Sequence, residues 1–326
     1  MAILTGTLGA DTIDGNLEAD QILALSGDDI VHGLNGADLI DGGSGNDILY
    51  AASRGSWRDG DVDTVLGGSG DDTIYGAGGD LLDGGIGFDR LSLDLSGLDE
   101  AAELDFRPMT LGVEGGLGDL LQLELVLGET RIANFEAVER LIATQYDDVL
   151  RFGNAGQVAV RVDAGAGDDS VRLGNGDDRV FGEAGDDVLQ GLGGSDRVDG
   201  GEGADVLIGG RGTDMLIGGA GADRFLFGAG DIGRSAARAD TILDFSSAEG
   251  DRIDLSRIDA VAGSLDTNER FSFIGASKFS GEAGELRVFQ RDGATFVMGD
   301  TDGDMRGDLL IRLEGQIDLT VSDFRL

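Results

Sequence analysis

An aspartate recurs every nine residues along much of this chain, and that period constrains the fold more than any other feature. Asp11, Asp20, Asp29, Asp38 and Asp47 form one run; Asp63 and Asp72 form a second, where Asp80 slips by one and Asp89 resumes the step. Asp169, Asp178, Asp187, Asp196, Asp205, Asp214 and Asp223 form a third. Glycines precede these aspartates in register: Gly42, Gly43 and Gly45 before Asp47, Gly67, Gly68 and Gly70 before Asp72, and Gly84, Gly85 and Gly87 before Asp89. In the third run Gly165 and Gly167, Gly174 and Gly176, Gly182 and Gly185, and Gly191 and Gly194 hold the same places. Full sets return at Gly200, Gly201 and Gly203, at Gly209, Gly210 and Gly212, and at Gly218, Gly219 and Gly221.

A Gly/Asp-rich composition alone would also suit disorder. The position two after each aspartate argues against it. It holds Ile13, Ile22, Val31, Ile40, Leu49, Val65, Ile74, Leu82 and Leu91, then Val171, Val180, Leu189, Val198, Leu207, Leu216 and Phe225, all apolar. Each nonapeptide therefore reads as a six-residue turn and a three-residue strand with one side chain pointing inward. One such strand buries nothing useful, but two repeats make a coil, and stacked coils enclose a core between two parallel sheets. The expected fold is all-β: a parallel β-roll solenoid in two runs.

Stacking also aligns aspartates in columns at the turns, where like charges repel. The chain carries 63 acidic against 24 basic residues, a net charge of -39. That field excludes nucleic acid, whose binding relies on neutralising phosphates, and disfavours anionic membrane surfaces. It calls for hard divalent cations, which take oxygen ligands. There is no cysteine and the single histidine is His32, so disulfides, thiolate sites and His-rich zinc sites are ruled out. No stretch approaches the ~20 apolar residues of a membrane span. The N-terminal Met1–Asp11 segment has neither the basic region nor the apolar run of a Sec signal, so an export address is expected elsewhere.

Residues 8–91 and 147–227 resemble RTX (repeats-in-toxin) calcium-binding β-rolls. The resemblance implies several Ca2+ ions, each taking six ligands from two loops eighteen residues apart. One loop gives its second and fourth carbonyls and its aspartate, the other its first and third carbonyls and its aspartate. The implied pairs are Asp169 with Asp187, Asp178 with Asp196, Asp187 with Asp205, Asp196 with Asp214, and Asp205 with Asp223. In the first roll Asp29 with Asp47 fits best. Leu17, Glu18 and Leu25 replace turn glycines near Asp20 and Asp29, so those first loops are expected to be empty caps.

The expected domains are a first roll at 1–91, interrupted at 51–62, a β-rich connecting region at 92–146, a main roll at 147–227 and a cap at 228–326. The interruption carries Trp57 between Arg54 and Arg58, and reads as a contact loop for a glycan or partner or as a solvated insertion. About residues 222–326, with Ala222-Asp223-Arg224-Phe225-Leu226-Phe227 and Gly250-Asp251-Arg252-Ile253-Asp254-Leu255-Ser256, resemble the C-terminal domain of serralysin-family secreted metallopeptidases. That implies a mostly β cap with one or two short helices. Asp300-Thr301-Asp302-Gly303-Asp304 looks like half an EF-hand loop, but Met305 and Ile311 stand where Gly and Glu belong. It reads equally as an acidic hairpin turn or an incidental calcium site. The ending Val321-Ser322-Asp323-Phe324-Arg325-Leu326 resembles that of type I secretion substrates, with Arg325 at a usually apolar place.

The serralysin resemblance stops short of catalysis, because the peptidase needs a His-Glu-x-x-His motif and a third histidine. His32 falls in a roll turn and reads as a solvated side chain. The acids Glu103, Asp105, Glu114 and Asp119 could form a glycosidase-like pair, though scattered acids are expected at this net charge. The favoured reading is a noncatalytic, secreted calcium-binding protein that folds on calcium after type I export, with the type I apparatus as its partner in transit. The alternative is a calcium-dependent extracellular enzyme acting on polysaccharide through carboxylates outside the repeats.

Overall fold

The structure is a computed structural model and describes all residues except 54–59, 99–100, 107–124, 128–129, 134–136, 153–157, 232, 234, 236 and 263–268. The Trp57 loop, Glu114 and Asp119 thus lie outside the described residues. The chain divides into two compact units, Met1–Val162 and Asp163–Leu326.

Successive repeats of the first unit alternate between two sheets, because each six-residue turn reverses the chain. Ile3–Thr5, Gln21–Leu23, Leu39–Ser44, Thr64–Ser69 and Leu81–Ile86 pair in that order in one sheet. Thr12–Asp14, Ile30–His32, Ile48–Tyr50, Thr73–Ala77 and Arg90–Asp94 pair in the other. Every one of these neighbours is parallel, and the register sets each inward residue over the next: Ile22 on Ile40 on Val65 on Leu82, and Val31 on Leu49 on Ile74 on Leu91. These side chains are at most 2% exposed. Ile13 is only half-buried, because its strand Thr12–Asp14 is the edge of its sheet among the described residues.

The second unit repeats the scheme. Arg179–Ala184, Arg197–Glu202 and Met215–Ala220 stack in one sheet, and Ser170–Arg172, Val188–Gly194, Val206–Gly212 and Arg224–Gly228 in the other. Val171, Val180, Leu189, Val198, Leu207, Leu216 and Phe225 are all at most 1% exposed and form its core.

The roll is closed by strands of a different kind. Thr241–Ile242 continues the first of these sheets in parallel, and Leu309–Leu313 follows it. Ala294–Asp300 then pairs antiparallel with Leu309–Leu313, and Glu285–Arg291 antiparallel with Ala294–Asp300. On the other sheet Arg252–Arg257 and then Phe324–Arg325 add the last parallel rungs. Of the short helices expected here, the described residues show a 3-10 turn at Val321–Asp323. Among the described residues no helix is long and apolar enough to cross a membrane.

Candidate metal centre

Two glycine requirements shape each turn. Gly43 and Gly45 have φ of 96° and 128°, in the left-handed region that L side chains rarely adopt. Gly42 has no such φ, yet a Cβ there would lie 2.5 Å from Asp47 Oδ2 and 2.7 Å from the Gly67 carbonyl oxygen. The missing side chain thus brings a carboxylate oxygen and a carbonyl oxygen of the next turn to one spot. Where the second turn position is not glycine, the backbone is bent just the same: Leu25, Leu34, Glu183 and Leu192 have φ of 80°, 78°, 75° and 76°.

The aspartates stand in continuous files. The backbone N–H of Asp29 donates to Asp47 Oδ1 (2.9 Å), and that of Asp47 to Asp72 Oδ1 (2.8 Å). In the second unit the same bond links Asp169 to Asp187, Asp178 to Asp196, Asp187 to Asp205, Asp196 to Asp214 and Asp205 to Asp223, at 2.8–3.0 Å. The structure therefore brings together every aspartate pair that the RTX resemblance implies. The first roll's files also run across the interruption, through the Asp38 N–H to Asp63 Oδ1 and the Asp47 bond to Asp72, and continue from the Asp72 N–H to Asp89 Oδ1, each at 2.8 Å.

These bonds occupy one oxygen each. The Oδ2 atoms of Asp47, Asp72, Asp187, Asp196, Asp205, Asp214 and Asp223 are sealed from solvent and accept no hydrogen bond. Burial without a counter-charge pushes Asp72, Asp187, Asp196 and Asp223 up to about 7, and Asp47, Asp205 and Asp214 up to about 6. Neighbouring aspartates add to the shift, as Asp47 and Asp89 do for Asp72. Buried carboxylate oxygens with no donor are costly, and hard oxygens gathered at glycine turns are the donor set that calcium takes. The residues present fit the ion.

The first coil differs. Both oxygens of Asp20 are engaged, Oδ1 by the Ala2 N–H (2.7 Å) and Oδ2 by the Asn16 N–H (2.9 Å), and the Ala2 bond holds its carboxyl below the usual range. Asp29 keeps an unbonded buried Oδ2 despite Leu25 in its turn. Gly174 and Gly176 take no positive φ, and the Gly174 N–H leans instead on Asp178 Oδ2 at 3.4 Å.

Two further members of the files lie beyond the nonapeptides. Asp240 Oδ1 accepts the Asp214 N–H and Asp251 Oδ1 the Asp223 N–H, both at 3.0 Å. Asp240 is fully buried, its Oδ2 has no hydrogen-bond partner, and burial pushes it up to about 8. Steps of 26 and 28 residues hide this pair from a search at nine. The surviving signal is the apolar residue two places on, Ile242 and Ile253.

A second file runs outside the first. Asp28 Oδ1 accepts the Asn46 N–H, Asn46 Oδ1 the Asp71 N–H, and Asp71 Oδ1 the Phe88 N–H, at 2.8–2.9 Å. Asp168 and Asp186 repeat this toward Asp186 and Ala204. That outer ladder accounts for the Asp or Asn so often found just before the inner aspartate.

His32 does not stand in a turn or in open solvent. It ends the strand Ile30–His32, its side chain is 15% exposed, its ring stacks on Tyr50 at 4.9 Å and Tyr50 on Tyr75 at 4.5 Å. Its Nδ1 lies 2.7 Å from Asp14 Oδ1. Parallel in-register stacking makes such a ladder wherever consecutive coils carry rings at one position. In the cap, Asp300, Asp302 and Asp304 bring carboxylate oxygens within 4.8 Å of one another, while Asp300 accepts the N–H groups of Gly303 (2.8 Å) and Met305 (2.9 Å).

Two family models match the chain, and they overlap within the second roll. A family model of the RTX calcium-binding nonapeptide repeat (4 copies) matches residues 3–31, 23–53, 57–91, 161–189 and 174–207. A model of the peptidase M10 serralysin C terminal matches residues 191–325. No curated protein matches. Among solved structures, the R3 subunit of the AlgE6 mannuronan C5-epimerase from Azotobacter vinelandii is 22% identical over 55% of this chain and 78% of its own, with a TM-score of 0.24. The R2 subunit of that enzyme is 24% identical over 57% of this chain and 91% of its own, with a TM-score of 0.27.

Proposed function

We propose that this calcium-binding β-roll protein, built of RTX nonapeptide repeats and a serralysin-type C-terminal region, is an extracellular, noncatalytic module that folds when calcium fills its turns after type I export. The observation that carries this reading is the set of buried Oδ2 atoms left without hydrogen bonds along the aspartate files. Asp29, Asp47, Asp72, Asp187, Asp196, Asp205, Asp214, Asp223 and Asp240 would hold the ions, with turn carbonyls such as that of Gly67 beside them. Bound calcium supplies the positive charge that the files lack.

The chain's own residues do the rest. The glycine turns orient the oxygens, the N–H of each aspartate fixes the carboxylate of the next coil, and the apolar columns exclude water. In a compartment poor in free calcium, a net charge of -39 keeps the chain expanded and able to pass an export channel unfolded. Outside, near-millimolar calcium saturates sites of extracellular affinity. Each ion that binds only the folded state contributes RT ln(1 + [L]/Kd), about 2.7 kcal/mol at a hundredfold excess over Kd. A few such sites rival the stability of a whole domain.

Far-UV circular dichroism during a calcium titration of chelator-treated protein tests the proposal, with magnesium as the control. A steep gain of β signal with calcium alone is the expected result. A chain fully folded in chelator, or one folded equally by magnesium, refutes calcium-driven folding.

A further inference from the structure

Asparagine is followed by glycine twice in the chain, at Asn35-Gly36 and Asn175-Gly176, each time at the third and fourth places of a turn. Neither asparagine belongs to the inner or the outer aspartate file. The pair carries a chemistry of its own. Glycine has no Cβ to keep its nitrogen from bending back onto the preceding side chain, where attack on Cγ closes a five-membered ring. Both asparagines are exposed, so their side chains alone do not set them apart. The glycine nitrogens do.

The Gly36 N–H donates to Asp61 Oδ2 (3.1 Å), which holds that nitrogen away from Asn35. The Gly176 N–H has no hydrogen-bond partner among the described residues, although Gly176 is buried. Buried backbone donors are nearly always bonded, so this nitrogen is the exception that nothing ties in place. Gly176 also lacks the positive φ of its counterparts at the fourth place, Gly36 (110°), Gly167 (113°) and Gly185 (137°). The Asn175 side chain makes no hydrogen bond among the described residues either. Its Oδ1 lies 3.1 Å from where a Cβ on Gly193 of the next coil would stand.

We infer that Asn175 is a site of spontaneous deamidation in the folded chain, and that isoaspartate there breaks the aspartate file at Asp178. The Gly176 nitrogen gives up its proton and forms a bond to Asn175 Cγ. The bond from Cγ to the side-chain nitrogen breaks, and that nitrogen takes a proton and leaves as ammonia. Water then opens the cyclic imide at either carbonyl, giving aspartate or isoaspartate, with no oxidant or reductant. Isoaspartate routes the main chain through one extra methylene. Here it falls between two bonds that set the register of neighbouring coils, Gly193 N–H to the Gly174 carbonyl (3.1 Å) and Asp178 N–H to Asp196 Oδ1 (2.9 Å). With calcium in the turns, the reading on which this second step rests, the ion at Asp178 and Asp196 is the one lost.

The test incubates the full, unaltered chain in mildly alkaline buffer, folded in calcium or unfolded in chelator and urea. Peptide mass spectrometry then follows the gain of one mass unit at each Asn-Gly pair. In calcium, conversion about tenfold faster at Asn175 than at Asn35 is expected, the factor that a hydrogen bond to a carboxylate represents. In urea, where nothing ties Gly36, the two should convert alike. Conversion at Asn35 as fast as at Asn175 in calcium, or an Asn175 that converts in urea but not in calcium, overturns the inference. Because folded and urea-unfolded chain are compared, this readout stands whether or not calcium drives folding. The converted chain, separated by anion exchange, is expected to bind at least one calcium ion fewer by calorimetry than fresh chain. Asn175→Gln, whose longer side chain closes a ring far more slowly, should keep both its mass and its calcium count through the same incubation. An equal loss of calcium in Asn175→Gln, or none in the converted chain, overturns the second step.

Discussion

At the scale of single residues, a turn position is decided by what its backbone must do. Gly219 has a φ of 93°, and a Cβ there would run into the carbonyl oxygen of Gly201. Gly219→Ala is expected to destabilise the calcium-loaded protein by roughly 1–3 kcal/mol, seen as a lower melting temperature. Glu183 and Leu192 occupy the equivalent position with φ of 75° and 76°. Replacing either by glycine relieves left-handed strain and is expected to stabilise by about 0.5–1 kcal/mol after the extra freedom of the unfolded chain is subtracted. A lower melting temperature in both glycine variants would show that these turns are not strained. The outer ladder gives a similar contrast. Asp186→Ala removes the acceptor of the Ala204 N–H and should cost about 1 kcal/mol, whereas Asp186→Asn should be neutral, because Asn46 already fills that role toward Asp71.

The element that matters is the turn file, since each aspartate is hydrogen-bonded to the coil before it and presents its second oxygen to the gap between turns. Asp205→Asn keeps an oxygen for the Asp187 N–H but loses the negative charge. It is expected to lower the number of bound calcium ions by at least one, counted by calorimetry, and to move the folding midpoint to higher calcium. Protonation acts on the same oxygens. Burial raises these carboxyls from 3.8 to between about 6 and about 8, as for Asp47 and Asp240, so the metal-free fold binds protons that the unfolded chain releases. Stability of that fold is therefore fully present below about 4 and is lost as pH rises through 6 to 8. In chelator, acidification from pH 8 to 5 should increase the β signal; a decrease would show that the files do not control folding.

For the whole molecule the decisive quantity is the imbalance of 63 acidic against 24 basic residues. Self-repulsion of that size favours an expanded chain, and screening by monovalent salt weakens it without supplying ligands. Sodium chloride added in chelator is expected to shrink the hydrodynamic radius partway while leaving the β signal low, and calcium to change both together. If monovalent salt restored the β signal as well, charge screening would explain folding and site-bound calcium would not be required. The apolar columns alone are a thin core, one inward side chain per nonapeptide, which is why the cation has so large a share in stability.

The sequence by itself determined the repeat, the inward residues and the inner aspartates, because a period of nine maps each position to one place in a coil whatever lies far away in the chain. From Asp169 to Asp223 the pairs that the structure brings together are those that the resemblance to RTX β-rolls implied. Tertiary structure decided what periodicity does not encode. Asp240 and Asp251 join the files only because the chain between Asp223 and Arg252 loops out and returns in register. His32 became part of a stacked ring ladder because Tyr50 and Tyr75 are set above it by parallel pairing. The outer Asp/Asn ladder likewise depends on neighbours that are distant in sequence. A local pattern fixes what a residue offers, and only the stacking of coils fixes what it meets.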